Sequence, residues 1–193
     1  VIYHAKEYNI RVMNLSLAAA STDSWQTDPL CAAVRSATAA GITVVVAAGN
    51  FGKNWLGQEN FGTISAPGND PTVITVGSAN SKDSVARSDD TVNLFSSRGP
   101  TRGAWIDTLG VRHVDNLLKP DLMAPGNALV GAASTKANSF NPTWNTLAST
   151  YYTELVTSTG ITPVYRETQM ELSGTSIAAP VVSGAVALML QQN

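Results

Sequence analysis

The run Ile42-Thr43-Val44-Val45-Val46-Ala47-Ala48 constrains the fold of this chain more than any other stretch. Branching at Cβ stiffens a side chain and favours extended backbone. The run has no charge and no apolar–polar alternation, so a strand built from it must be covered on both faces. Parallel sheets flanked by helices are buried in that way. Upstream, Asp28-Pro29 reads as a helix start, a capping carboxylate followed by proline at the first helical position. Leu30, Val34 and Ala37 then fall on one face, and Gly41 stops the helix. Residues 10–17 alternate apolar and polar, which predicts a strand. Strand, helix and strand with short joints make a right-handed βαβ unit. A further strand is expected over 72–76.

At 193 residues the chain fits one domain with a sizeable core. Only 13% of residues are charged and 44% are hydrophobic, which suits strands buried on both faces. A net charge of −2 without a basic run points away from nucleic acid and from an anionic membrane surface. No apolar run reaches the length of a membrane span. The single cysteine, Cys31, excludes an intrachain disulfide and a cysteine-rich zinc site, and beside alanines it reads as a small buried side chain. Residues 1–9 read as the end of a helix already in progress, without a signal-peptide pattern, so the chain is expected to begin inside a domain. Residues 101–118 and 134–165 show little periodicity and are expected to be long loops or excursions.

Chemistry is carried by three segments. Leu172-Ser173-Gly174-Thr175-Ser176-Ile177-Ala178-Ala179-Pro180 opens an apolar, small-residue helix predicted to run to about Gln191. Ser176 there lies in the field of a helix N-terminus, which favours developing negative charge. Gly174 lets the backbone bend without a Cβ. Val46-Ala47-Ala48-Gly49-Asn50 ends a buried strand in Gly-Asn, and ligands of open α/β sheets bind off the carboxyl ends of strands. Asn50 can aim an NH₂ donor into such a cleft, and Gly49 lets a substrate main chain approach. Asn14-Leu15-Ser16-Leu17-Ala18-Ala19 ends the first strand. Each segment alone has an ordinary reading: a capping serine, a turn asparagine, the end of a buried strand.

Together, and in their order along the chain, the three segments resemble motifs of the subtilisin-like serine proteases. GTSIAAP resembles the nucleophile motif, which puts Ser176 on the nucleophile. AAGN resembles the oxyanion-hole motif, which puts Asn50 on the oxyanion donor. The strand ending Ser16-Leu17 resembles the family's substrate-pairing strand. Ala18 and Ala19 stand where the family has glycines, and two added methyls are expected to narrow the cleft. Ile64-Ser65-Ala66-Pro67-Gly68, Val73–Ala79, Phe95–Pro100 and Lys119–Gly126 also look like family segments in sequence order. Ser65 would then lie near the floor of the pocket for the residue before the cleaved bond. Asp121 reads as structural.

The resemblance implies a three-layer α/β sandwich with a mainly parallel sheet, and a serine endopeptidase. It implies catalytic roles for Ser176 and Asn50, and substrate contacts at Ser16, Leu17, Ala18, Ala48, Gly49, Ser65 and Thr175. It covers only the later part of the family's catalytic domain. The segments bearing the family's Asp and His would precede Val1. Neither His4 nor His113 has a glycine-rich neighbourhood, and both read as ordinary histidines. The whole chain, 1–193, is therefore expected to be a partial peptidase domain, inactive alone. Its expected partners are a peptide or protein substrate and the missing N-terminal part of the same domain, with self-association through the open edge at residues 10–17. No cofactor is expected. The family's usual calcium could draw on Asp83, Asp89, Asp90 and Asp115, but these lack an EF-hand spacing and read as solvated loop carboxylates. The resemblance also favours a secreted or cell-envelope setting. A non-catalytic peptide-binding module on the same fold is the alternative. It need not keep Ser176 and Asn50 together. A lipase-like hydrolase would need Gly-x-Ser-x-Gly with Asp and His after the serine, and Ala178 and the last 17 residues supply none of these.

Overall fold

The computed structural model describes residues 1–20, 22–132, 155–156 and 169–192, which form two compact units. The larger comprises Val1–Asn127 and Gly174–Asn193. Its sheet holds five strands: β1 (Val12–Leu15), β2 (Thr43–Ala47), β3 (Ile74–Asn80), β4 (Thr91–Val92) and β7 (Leu122–Pro125). β1, β2, β3 and β7 are mutually parallel in that order, and only the short β4 runs antiparallel, on the end of β3.

Helix α1 (Pro29–Ala39) connects β1 to β2 and starts as expected. Asp28 accepts from the N–H groups of Leu30 and Cys31 at 2.8 and 3.1 Å, satisfying two orphan donors of the first turn. Gly41 closes the helix at φ +86°, a conformation glycine adopts without strain. The buried face is Cys31, Val34 and Ala37, whereas Leu30 is 40% exposed. Leu30 still shares the expected face, lining one groove with Val34 and Ala37, and Cys31 adds a fully buried position beside it.

The charge-free run at 42–48 is buried on both faces because its side chains alternate between two cores. Val44 and Val46 pack with Val34, Ala37, Ile42 and Val73 on the α1 side. Val45 and Ala47 pack with Val76, Ala124, Ala178, Ala179 and Val182 on the side of α2 (Thr175–Gln191). Helix, sheet and helix make the three layers. The small residues of α2 let it approach the sheet closely. Arg11 donates to the Leu190 carbonyl at 2.6 Å, so its charge caps the end of α2. β1 pairs with β2 alone among the described strands. Beside it, Met13, Leu15 and Leu17 line an open apolar groove of ≈450 Å³ with Val34 and Ala37.

Four segments differ from expectation. The strand expected over 10–17 is confined to 12–15. Residues 1–9 contain only a 3-10 turn at Ile2–His4, then turns with Asn9 at φ +49°. β3 starts two residues late and runs through Gly77 to Asn80. Glycine and serine disfavour strands locally, but β7 pairs with this half of β3, and a Cβ on Gly77 would meet Met123 Sδ at 2.4 Å. Residues 101–118 fold into a hairpin of β5 (Ala104–Ile106) and β6 (Arg112–Val114). Its turn is set by Asp107, which accepts from the N–H groups of Leu109 and Val111 at 2.9 Å each, with Gly110 at φ +80°.

The second unit, Ala128–Ser173, contains the antiparallel sheet β8 (Leu129–Ala132), β10 (Gln169–Leu172) and β9 (Leu155–Val156), with β10 central and Met170 buried. The rest of the expected 134–165 excursion lies outside the described residues.

Cys31 is fully buried, and its thiol donates to Asn69 Oδ1 at 3.1 Å. Burial first, then the charges of Asp28 and Asp70, push the thiol up to about 12. Native protein at pH 8 is therefore expected to resist a thiol reagent such as DTNB, and to release one equivalent once unfolded. A folded value raised above the unfolded one leaves stability intact below about 9 and erodes it as pH rises toward about 12. Fast labelling of the native state would contradict this burial.

Candidate active site

Ser176 is the second residue of α2, half-buried, at the helix N-terminus. Among the first-turn N–H groups, that of Thr175 donates to Asn50 Oδ1 at 3.0 Å, and those of Ile177 and Ala178 donate to the Gly174 carbonyl. The Ser176 N–H has no acceptor among the described residues. Its carbonyl has a special history. Residue 180 is proline, so the usual donor four residues ahead is missing. The Ser16 hydroxyl replaces it, donating to the Ser176 carbonyl at 2.7 Å. Ser16 Oγ in turn accepts from Asn14 Nδ2 at 2.9 Å, and Asn14 Oδ1 accepts from Ser183 Oγ at 2.9 Å. A polar chain thus ties the end of β1 to two turns of α2.

Asn50 is exposed, just past the end of β2. Both the backbone N–H and the hydroxyl of Thr175 donate to its Oδ1, at 3.0 and 2.9 Å. A backbone N–H can only donate, so the carboxamide atom facing Thr175 is the oxygen. The NH₂ is therefore the free end. A Cβ at Gly174 would lie 3.4 Å from Asn50 Nδ2. With glycine at φ +156° that side of the amide stays open.

Gly49 packs among hydroxyls. Its N–H donates to Thr175 Oγ1 at 3.2 Å, and a Cβ there would lie 2.6 Å from Ser65 Oγ and 2.9 Å from Ser97 Oγ. Its φ of +102° is a second reason for glycine. Ala48 is held on both sides, its N–H donating to Val76 and its carbonyl accepting from Ser65. Ser65 is buried and lines an open pocket of ≈320 Å³ with Ala20, Thr22, Phe51, Thr63 and Ile64.

The structure thus gathers Ser176, Thr175, Asn50, Gly49, Ala48, Ser65 and Ser16 at one end of the sheet. Leu17 takes the other face, in the α1-side groove. Ala18 is exposed, and Ala19 exchanges two 2.9 Å backbone bonds with Ala66. Sequence reasoning missed the compensation of Pro180 by Ser16 and the place of Ser97 beside Gly49. Gly174 and Pro180 were readable as punctuation, but their partners are remote in sequence.

The histidines are engaged elsewhere. His4 Nδ1 lies 2.7 Å from Glu7 Oε2 on the surface. His113 stacks on Trp105 at 4.5 Å and meets Asp107 Oδ2 at 2.7 Å, and this hydrogen bond leads in lowering the Asp107 pKa. Of the candidate calcium ligands, Asp115 accepts from Ser24 Oγ and the Trp25 N–H, Asp89 from Ser84, and Asp90 pairs with Arg87. Among the described residues, no three His, Cys, Asp or Glu side chains gather as a metal site. Asp121 is structural, accepting from the Thr75 N–H at 2.7 Å and from buried Lys119 at 2.6 Å.

A mainly parallel sheet between two helical layers, with a Gly-Asn strand end beside a Thr-Ser helix start, defines an α/β protein of the subtilisin-like kind. The sequence model of the Subtilase family matches residues 1–193, and the chain belongs to that family. It is 37% identical over 186 residues to serine protease AprX of Bacillus subtilis (strain 168), covering 95% of this chain and 34% of that protein. Sphericase superposes with a TM-score of 0.60 at 22% identity over 100% of this chain and 46% of the other. The S41 psychrophilic protease superposes at 0.59 and 24%, covering 99% and 46%. The chain spans about a third of the curated relative and less than half of these solved chains.

Proposed function

We propose that this chain supplies the nucleophile and oxyanion donors of a serine endopeptidase. The observation that supports the reading most is the locked carboxamide of Asn50. Thr175 holds its oxygen, and the NH₂ is left free beside the N-terminus of the helix bearing Ser176.

In this reading, Ser176 Oγ attacks the carbonyl carbon of a peptide bond while a general base takes its proton. The carbonyl oxygen becomes an oxyanion and accepts from Asn50 Nδ2 and the Ser176 N–H. Donors fixed where charge develops stabilise the transition state more than the substrate. Collapse of this intermediate expels the amine, which takes the proton from the base, and leaves an acyl ester on Ser176. Water then hydrolyses the ester by the same route in reverse. The base and its orienting carboxylate are assigned to polypeptide outside these 193 residues. Residues 16–18, beyond the paired part of β1, offer backbone to an extended substrate. The pocket lined by Ser65 and Phe51 receives the side chain before the cleaved bond, and Ala18 narrows the wall.

A fluorophosphonate tests this, because it phosphonylates only an activated serine. Applied to the full-length protein, it should modify Ser176, as read by peptide mass spectrometry, and Ser176→Ala should abolish modification and peptidase turnover together. Undiminished turnover in that variant would overturn the assignment.

A further inference from the structure

We infer that Ser97 is a positioning residue for Asn50, fixing the backbone on both sides of the oxyanion donor. The inference rests on the reading of Asn50 given above. Thr175 holds only the far end of the side chain. Where Nδ2 sits also depends on the backbone torsions of residue 50, and these are set by its neighbours.

Ser97 grips both neighbours. Its N–H donates to the Gly49 carbonyl at 2.9 Å, and its Oγ accepts from the Phe51 N–H at 3.1 Å. One residue further, the Gly52 N–H donates to the Phe95 carbonyl at 2.8 Å. Asn50 is therefore a single residue held between anchored ones. The anchor is itself fixed, since the Arg98 carbonyl accepts from the Thr63 N–H at 2.9 Å and the Gly99 N–H donates to the Lys119 carbonyl at 3.0 Å. Ser97 is 1% exposed, so its hydroxyl is held in place by the protein around it. The approach is too close for any larger neighbour: a Cβ on Gly49 would meet Ser97 Oγ at 2.9 Å, and one on Gly52 would meet the Ser96 carbonyl oxygen at 1.9 Å.

Removing the hydroxyl leaves the Phe51 N–H without its acceptor and frees residues 50–51 to turn. An oxyanion donor works only within a few tenths of an ångström of its place. A displacement near 1 Å costs up to about a hundredfold in rate. Substrate backbone binding along residues 16–18 uses none of these bonds, and the amide is needed only as charge develops, so kcat should fall much further than KM rises, Phe51 being the one affected residue that also lines the side-chain pocket.

The test is a double-mutant cycle in the full-length protein with a peptide substrate. Ser97→Ala is expected to lower kcat roughly ten- to a hundredfold with a much smaller change in KM, and Ser97→Thr, which keeps the acceptor oxygen, to recover much of the loss. In an Asn50→Ala background, Ser97→Ala should change kcat by less than about twofold, because its effect runs through the missing amide. Full multiplication of the two losses, or a rise in KM that accounts for the Ser97 effect, would make Ser97 a general packing residue and overturn the inference. Should Ser97→Ala fail to fold, Ser97→Cys enters the same cycle. The donor reading fails separately, if Asn50→Ala alone leaves kcat unchanged, and takes the role of Ser97 with it.

Discussion

The 193-residue chain on its own is expected to hydrolyse peptides on the order of a millionfold more slowly than a complete enzyme of this class, the loss that follows removal of the base from a subtilisin triad. A serine hydroxyl is a weak nucleophile unless a positioned base takes its proton as it attacks. The chain holds two histidines, and each ring is bonded to a carboxylate elsewhere, His4 to Glu7 and His113 to Asp107, both at 2.7 Å. The field of the α2 N-terminus and the Asn50 amide stabilise an oxyanion once formed, but they do not accept a proton. Ser176 should therefore also label very slowly with a fluorophosphonate in the isolated chain. The measurement is turnover of a purified 193-residue chain beside its Ser176→Ala variant. Rates near an ordinary kcat of about 10 s⁻¹, abolished by that substitution, would mean that a base is present within these residues.

Replacing Asn50 has the next largest expected effect. Asn50→Ala should lower kcat of the full-length protein roughly a hundred- to a thousandfold with KM nearly unchanged, the range set by the oxyanion asparagine of subtilisin itself. The amide meets substrate only after the carbonyl oxygen has moved and gained charge, so binding loses little. Asn50→Asp separates two functions of the side chain. It keeps an oxygen for the two donors of Thr175, at 3.0 and 2.9 Å. It also replaces the NH₂ by an oxygen bearing negative charge, facing a developing oxyanion. Its kcat should thus fall at least as far as that of Asn50→Ala, while its melting temperature stays closer to that of the parent, because Thr175 keeps its acceptor. A kcat for Asn50→Asp near the parent value would remove the amide from the chemistry and leave Asn50 as a cap on Thr175.

What could be read in advance follows the range of the forces involved. The α1 start was legible because Asp28 satisfies N–H groups two and three residues away. The double burial of 42–48 was legible because a strand's two faces are written in successive residues. The order of motifs that marks the family is likewise a property of the chain alone.

Elsewhere the sequence left a choice that remote contacts made. Cys31 read as a small buried side chain, but its partner Asn69, 38 residues on, could not be read with it. β3 crosses Gly77 because β7, more than forty residues on, supplies its hydrogen bonds. The hairpin at 104–114 was invisible to periodicity because one exposed turn, held by a single carboxylate, carries little apolar pattern. The site shows the same division. Composition and spacing alone determined that a serine opens a small-residue helix and that a Gly-Asn pair closes a buried strand. Only the tertiary structure decided that Thr175 locks the Asn50 oxygen, that Ser16 replaces the donor Pro180 lacks, and that Ser97 brackets Asn50. Hydrogen bonds between residues 46 to 160 positions apart have no local signature, because their geometry exists only once the sheet has brought the strand ends together.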